Sequence, residues 1–440
     1  MPYRLSTILT FSFVLVVFAP AMAQQIATIA LEEAIAAALE NNSTIKLALA
    51  DEHIAEANYQ QSNSAFLPQV GLSYTAMTSN SPINVFGYKL QQQSITVSDF
   101  DPQLLTSPST TPNYMASIDM KQPLINVDQF FLRKSAQKQV QAAQFRTLRT
   151  KESITFEVKK AYFQLQLAYQ AVAVMEETLE SVKATYTFTE NRFNNGLLQK
   201  SDLLNVEIQV RTTETQLAEA KSQLSNASGH LSLLMGKPSD TIYKADVPID
   251  EASAAPMPYQ LPSDRADFRA MQNAIEASAY GAKSSQMGYL PRINAFGSYQ
   301  LIDSEWLGFG SNFFLAGIQL SWDIFTGGKT RNYAAARHLE RDKAEEQFNE
   351  QKAQGQLELD KAQRQLTDTQ YAIQQQKTAV AHAEEVLRIL QNRYHQGLAN
   401  TTDALLAHAQ VAQQKLKLAQ ALFSYQVTSA YINYLISSPN

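Results

Sequence analysis

The chain has no cysteine among its 440 residues, so a disulfide framework and a thiolate metal site are both excluded. The residue that an N-terminal lipid anchor would acylate after signal cleavage is missing with it, and a lipoprotein is not expected. Proline is absent from 128–237 and from 330–438, so nothing in those stretches interrupts a helix. Charge of one sign is not in excess: 36 basic residues against 41 acidic ones give −5. That balance offers no basic footprint for nucleic acid. Long apolar runs are also scarce. The only one, Leu5 to Phe18, follows Arg4 and precedes Ala21-Met22-Ala23, the pattern of a cleaved Sec-type signal over 1–23 with the mature chain starting near Gln24. Beyond it no stretch approaches the ~18 apolar residues of a spanning helix. An exported chain of this kind is either soluble outside the cytoplasm or inserted as a β-barrel.

What is present is a duplication. Asn191-Arg192-Phe193-Asn194-Asn195-Gly196-Leu197 returns as Asn392-Arg393-Tyr394-His395-Gln396-Gly397-Leu398, and Asp202 and Asp403 follow at the same offset. Phe66-Leu67-Pro68 returns as Tyr289-Leu290-Pro291. The halves run over 24–236 and 263–440, separated by a proline-rich insert at 237–262. Within each half a heptad seam is legible. Ile154, Val158, Ala161, Leu165, Ala168, Val172, Met175, Leu179, Val182 and Tyr186 alternate steps of four and three. Gly355, Leu359, Ala362, Leu366, Thr369 and Ile373 form a more polar copy, and Val206 to Leu234 repeats the rhythm after the first turn. A 3.5-residue period predicts long helices packed along their length, roughly 100 Å for ~65 residues. Shorter helices are expected over 43–63 and 264–286, with Asn41-Asn42-Ser43 as a helix stop and start.

Four segments alternate instead. Val70 to Ala76, Tyr114 to Gln122, Ile293 to Leu301 and Phe314 to Ile324 each carry one apolar and one mostly polar face. Such strands suit a membrane barrel, apolar toward lipid and wet inside, or an ordinary half-buried sheet; four cannot close a wide barrel alone. Residues 77–113, rich in Ser, Thr and Pro, read as a long exposed loop. Gly327-Gly328-Lys329-Thr330 lacks the first glycine of a phosphate loop, because Asp323 stands there, and reads as a strand-to-helix turn. Trp306 and Trp322 suit either a membrane interface or ordinary packing.

The doubled Arg-aromatic-x-x-Gly turn, the helix–strand–strand–long-helix–return-helix order and the signal together resemble the TolC-type outer membrane efflux protein (outer membrane factor) family. The resemblance covers about Ile26 to Ser437. It implies a mixed α/β membrane protein in the Gram-negative outer membrane: a long α-helical, coiled-coil-like periplasmic barrel joined to a trimer-shared, 12-stranded β-barrel with four strands per chain. It implies a homotrimer set in outer-membrane lipid, meeting a periplasmic adaptor protein and an inner-membrane transporter of RND, ABC or MFS type. No cofactor, metal or catalytic residue is implied. Residue by residue, Asp202 matches an aspartate that ties the inner helix pair shut, Tyr394 the tyrosine it contacts, and Ser201 a neighbouring hydroxyl. Asp403 matches one member of an acidic ring at the entrance. Ala399 and Leu406 stand where the prototype has a latch arginine and a second ring aspartate, so latch and ring are thinner here. Both aspartates also suit plain helix starts. Gly196 and Gly397 are expected in a left-handed turn, and the turn edges, with Arg192, Phe193 and Arg393, as adaptor contacts. Phe193 cannot donate a hydrogen bond whereas Tyr394 can, so only the second hairpin can hold a polar latch. The competing reading is a periplasmic coiled-coil adaptor (membrane fusion) protein, which would need a small β-rich module flanking one undoubled hairpin.

Overall fold

A computed structural model describes residues 25–246 and 259–438; the expected signal at 1–23 and Pro248, Pro256 and Pro258 of the insert lie outside them. In chain order the elements are β1 (Gln25–Ile29), α1 (Leu31–Asn41), α2 (Ser43–Ser62), β2 (Gln69–Ser79), α3 (Pro82–Gln91), α4 (Pro102–Thr106), β3 (Thr111–Ile125), α5 (Val127–Asn194) and α6 (Lys200–Leu234). There follow β4 (Thr241–Ala245), α7 (Ala266–Met287), β5 (Arg292–Asp303), β6 (Ser311–Ser321), α8 (Lys329–His395) and α9 (Thr401–Leu435). The proline-free stretches are single helices of 68 and 67 residues, α5 and α8, each with a 35-residue return helix. The stop and start at Asn42 is built as expected, its Oδ1 accepting from the Thr44 N–H at 2.8 Å. The chain divides into two compact units, 1–37 with 161–250 and 375–423, and 38–160 with 251–374 and 424–440.

In the first unit the heptad seam is the core. Ala161, Leu165, Ala168, Val172, Met175 and Val182 of α5 are buried, as are Val206, Val210, Thr213, Ala220, Ala227 and Leu231 of α6. Near its end the seam departs from the expected register. Thr185 and Thr189 are buried and Tyr186 is not, because a step of three replaces the expected step of four and brings hydroxyls into the packed face. A parallel pair of five-residue strands, β1 and β4, lies against α5 and α6. Tyr162 reaches Ile29 O and Asp246 Oδ1, Tyr169 donates to Tyr243 O, and Ser228 accepts from the Tyr243 N–H.

In the second unit the glycine of the second seam has a cause. Gly355 stands where Ile154 stands in the first copy, and a Cβ there would lie 3.3 Å from the guanidinium of Arg265. Arg265 is 2% exposed, pairs in bidentate fashion with Asp267 at 2.7 and 2.6 Å, and lies over the Phe268 ring. Burial would raise Asp267, but Arg265 holds its carboxyl below the usual range. The missing side chain makes room for a buried ion pair.

This unit also holds a four-stranded antiparallel sheet in the order β2-β3-β5-β6. Its register sorts the faces. Val70 opposes Met120, Leu72 opposes Ile118, Ile118 opposes Tyr299, and Tyr299 opposes Phe314, so one face is apolar across all four strands. The other carries Ser73, Ser117, Asp119, Lys121, Ser298, Gln300 and Gln319, with Ser73 Oγ 2.9 Å from Ser117 Oγ and Ser117 donating to Asp119 at 2.7 Å. On this face Phe296 covers Gly317, where a Cβ would come within 2.9 Å of the ring. β2, β3 and β5 are longer than read, β3 starting at Thr111 and running past Pro123 with a register shift there, while β6 lies earlier than read and ends at Ser321, short of Ile324.

The segment expected as an open loop over 77–113 is folded instead. β2 continues to Ser79; Pro82 and Pro102 start α3 and α4, and a 3-10 turn over Val97–Phe100 lies between. Thr96 and Asp99 form a capping box, and Lys89 pairs with Asp99. That hydrogen bond from Lys89, with those from Thr96, brings the Asp99 pKa down to about 2. Composition suggested a long exposed loop, yet prolines at helix starts and self-capping polar side chains give a short segment structure of its own. Gly327 and Gly328, at φ +64° and +84°, do form the strand-to-helix turn.

Candidate functional site

Each long helix meets its return helix through the same bond pattern. Leu197 N–H bonds Arg192 O and Gly196 N–H bonds Phe193 O, both at 2.9 Å; Leu398 and Gly397 repeat this on Arg393 and Tyr394 at 2.8 and 3.0 Å. These pairs define a helix C-terminus with the glycine left-handed, and Gly196 and Gly397 sit at φ +72° and +77°. The helices that follow are capped differently. Asp202 accepts from the Gln199 N–H at 3.2 Å and completes a capping box, with Ser201 exposed beside it. Asp403 occupies the same third position, but there Asn400 Oδ1 caps the Asp403 N–H at 2.7 Å. The Asp403 carboxylate is thereby left half-exposed.

Tyr394 is 3% exposed. Its hydroxyl lies 2.7 Å from Thr189 Oγ1 and 3.2 Å from Thr401 Oγ1. Thr189 gives its own proton to Thr185 O at 2.8 Å, so Tyr394 must donate to Thr189 and accept from Thr401. The result is a directed chain of buried bonds, Thr401 to Tyr394 to Thr189 to the α5 backbone, linking the second hairpin to the first. The contact that the resemblance gave Tyr394, to Asp202, is not the one made within this chain: Asp202 is engaged at its own helix start. The hydroxyl that Tyr394 has and Phe193 lacks bonds a threonine of α5.

Arg192 and Arg393 also part company. Arg192 crosses to the second turn, donating to Tyr394 O at 3.3 Å, lying over Phe188, and passing 3.2 Å from where a Gly397 Cβ would be. Arg393 is exposed. Phe193 is half-exposed, while Leu197 and Leu398, just past the glycines, are each 64% exposed. One layer on, His408 of α9 is buried with Nε2 3.3 Å from Thr185 Oγ1 and 3.2 Å from Gln391 Nε2. Burial pushes its pKa down, so it is neutral at pH 7. Farther along, Lys415 bridges Glu177 at 2.8 Å and Glu384 at 3.1 Å. Thr185, Thr189, Thr401 and His408 were not singled out from the sequence. The only available signal was a hydroxyl pair four residues apart on the seam side of α5.

No group of three or more His, Asp or Glu among the described residues could hold a metal ion. The hairpin ends hold helices together with buried polar ties, and the sheet supplies the second functional feature. Among the described residues β2 pairs only with β3 and β6 only with β5, so both outer edges are open. The apolar face is solvent-exposed along its length, with Leu72 at 79% and Phe314 at 83%. Aromatics border it. Trp306 packs edge-on against Tyr74 and Tyr114 at one end; at the other, Trp322 donates to Tyr289 O at 2.9 Å. An apolar band between aromatic girdles is the pattern of a lipid-facing barrel wall. No helix among the described residues is long and apolar enough to cross a membrane.

Comparisons agree with this geometry. A family model described as outer membrane efflux protein matches residues 34–237 and 257–436. Two curated relatives are both named cation efflux system protein CusC. The one from Escherichia coli O6:H1 is 24% identical over 141 residues, 31% of each chain. The one from Escherichia coli O157:H7 is 22% identical over 269 residues, 59% of this chain and 53% of the relative. The chain thus spans about a third to a half of these curated relatives. A crystal structure of CusC, described in connection with transmembrane channel formation, superposes with a TM-score of 0.78 at 16% identity, covering 93% of this chain and 92% of that one.

Proposed function

The chain belongs to the outer membrane efflux protein family, channel-forming proteins rather than enzymes, and from that premise we propose that it is a subunit of a passive exit duct. The fold is that of the outer membrane factors, a long helical tunnel with a trimer-shared barrel. The protein lies in the outer membrane, with its helices in the periplasm. The observation that carries the duct reading is the four-stranded sheet, apolar on one face, polar on the other, and unpaired at both edges. Open edges are not tolerated in lipid, where no water satisfies the backbone. β2 of one copy therefore pairs with β6 of the next, and three copies of four strands close a ring whose apolar face meets lipid and whose polar face is wet.

The hairpin ends form the periplasmic entrance. Tyr394, held by Thr189 and Thr401, is the buried tie of the closed form. Ser201, Asp202 and Asp403 line the entrance, Asp403 with the free carboxylate. The exposed turn edges around Phe193, Gly196, Arg393 and Gly397 meet a periplasmic adaptor, which couples the duct to an inner-membrane pump. Arg192, engaged within the chain, serves the tie before it serves any partner. Protein expressed in a Gram-negative host should fractionate with outer membranes and run as a heat-modifiable trimer. Recovery as a soluble periplasmic monomer would overturn the duct and favour the adaptor reading.

A further inference from the structure

The two connections at the far end of the sheet go to opposite faces. The short one, between β5 and β6, lies on the apolar face: Trp306 packs on Tyr74 and Tyr114, and the Leu307 N–H bonds the Tyr74 hydroxyl at 3.0 Å. The long one, between β2 and β3, lies on the polar face. Gln92 of that connection donates to Asn113 Oδ1 at 2.9 Å and to Pro112 O at 2.8 Å, and the Ser311 hydroxyl shares its proton between Gln91 O at 2.6 Å and Ile302 O at 2.8 Å. Asn113 and Ser311 both point from the polar face, by the alternation that also places Ser117 and Gln319 there.

Burial follows the same division. At this end of the polar face Asn113 is 1% exposed, Ile302 1% and Ser311 2%. Farther down that face Asp119, Lys121 and Gln319 are exposed. The part of the upper polar face around Asn113, Ile302 and Ser311 is covered, while Met77 and Phe313 beside it stay exposed, and α3 with its anchors is what bonds there; Val85 of α3 is itself buried. The connection is braced internally by the Lys89–Asp99 pair and the Thr96–Asp99 capping box. A freely solvated loop would have neither the anchors nor the braces.

We propose that the 80–110 connection is an inward-folded constriction at the outer mouth of the duct, setting the size of solute that passes there. This rests on the reading of the polar face as the channel wall. With that face turned to the lumen, a segment packed on its outer end stands inside the ring, and each copy contributes one. Gln91, Gln92, Asn113 and Ser311 are the positioning residues, because they hold the segment to the wall.

The cysteine-free chain allows a direct test in whole cells. Gln319→Cys places one thiol on the polar face below the covered zone, which a reagent too large for porins can reach from outside only through the mouth. A small membrane-impermeant maleimide should label it, and a maleimide carrying a long polyethylene glycol chain should not. Replacing residues 82–109 with a short Gly/Ser turn should restore labelling by the bulky reagent. Ser311→Ala with Gln92→Ala should restore it in part, and covers the case in which the deletion fails to yield a heat-modifiable trimer. Equal bulky labelling with the segment intact and removed would overturn the constriction while leaving the duct standing. Failure of the small reagent even after removal would overturn the polar-wall reading itself, and the constriction with it.

Discussion

Replacing Tyr394 with Phe removes one oxygen from the centre of the hairpin ties and almost nothing else. The ring keeps its edge contact with Phe188, and Arg192 still reaches the Tyr394 carbonyl. Thr401 loses its acceptor and Thr189 its donor, both in a buried setting. Thr189 continues to donate to Thr185 O, so one group, Thr401, is left unsatisfied. A buried polar group without its partner costs about 1–3 kcal/mol, and the single orphan here argues for the lower half of that range. If the tie belongs to the closed entrance alone, about 1–2 kcal/mol changes the closed-to-open ratio by roughly 5–30-fold. Purified protein in planar bilayers should show that change as raised open probability, and cells should become more sensitive to antibiotics too large for porins. Thr189→Val should reproduce the effect, and the double variant should add little to either single one, because both remove the same bond. Fully additive effects, or unchanged currents in Tyr394→Phe, would refute the chain of bonds as the tie.

Other consequences follow from the same contacts. Gly196→Ala and Gly397→Ala each force a Cβ into left-handed backbone, at about 1 kcal/mol, but only Gly397→Ala also displaces Arg192; thermal unfolding should rank it lower, and equal losses would remove Arg192 from the turn. Arg265→Met leaves Asp267 without its main partner and should cost about 3 kcal/mol, the lower end for a broken buried pair, since Arg149 remains 3.9 Å away; unfolding midpoints in denaturant would show it. His408 has a folded pKa below its ordinary 6.5, so the unfolded chain takes up the proton first. Its stabilising contribution is complete above 6.5 and is lost as pH falls through the lowered value. The first unit should lose protection from hydrogen exchange in mild acid, and His408→Gln should flatten that dependence.

The duplication was readable because it fixes backbone geometry, and few residue types satisfy that geometry. A left-handed position nearly demands glycine, so Gly196 and Gly397 marked both turns, and uninterrupted heptads marked the helices between them. The four strands were legible because lipid on one side and water on the other force strict alternation. The β1–β4 pair was not: five residues at each end of a 216-residue separation carry no local period, and their pairing is settled by Tyr162, Tyr169 and Ser228 on distant helices. Arg192 could not be told from Arg393 by sequence, since both follow an asparagine and precede an aromatic. Only the packing of one hairpin on the other turns Arg192 inward. Thr189 was hidden because a threonine on a long helix is ordinarily a surface residue or a back-bonding one, and Thr189 does back-bond to Thr185 O while also serving Tyr394. The folded 80–110 connection was missed because its order depends on Gln91 and Gln92 meeting strands that come together only in the sheet.

The central claim is that this sheet is one part of a ring closed by other copies. A single cysteine at Leu72 on the β2 edge, combined in turn with one at Phe314, Ala316 or Ile318 on the β6 edge, tests it in the native membrane. In at least one pairing, oxidation should give a ladder on denaturing gels that ends at three chains and collapses on reduction. Monomer alone in every pairing, from protein confirmed in the outer membrane, would contradict it.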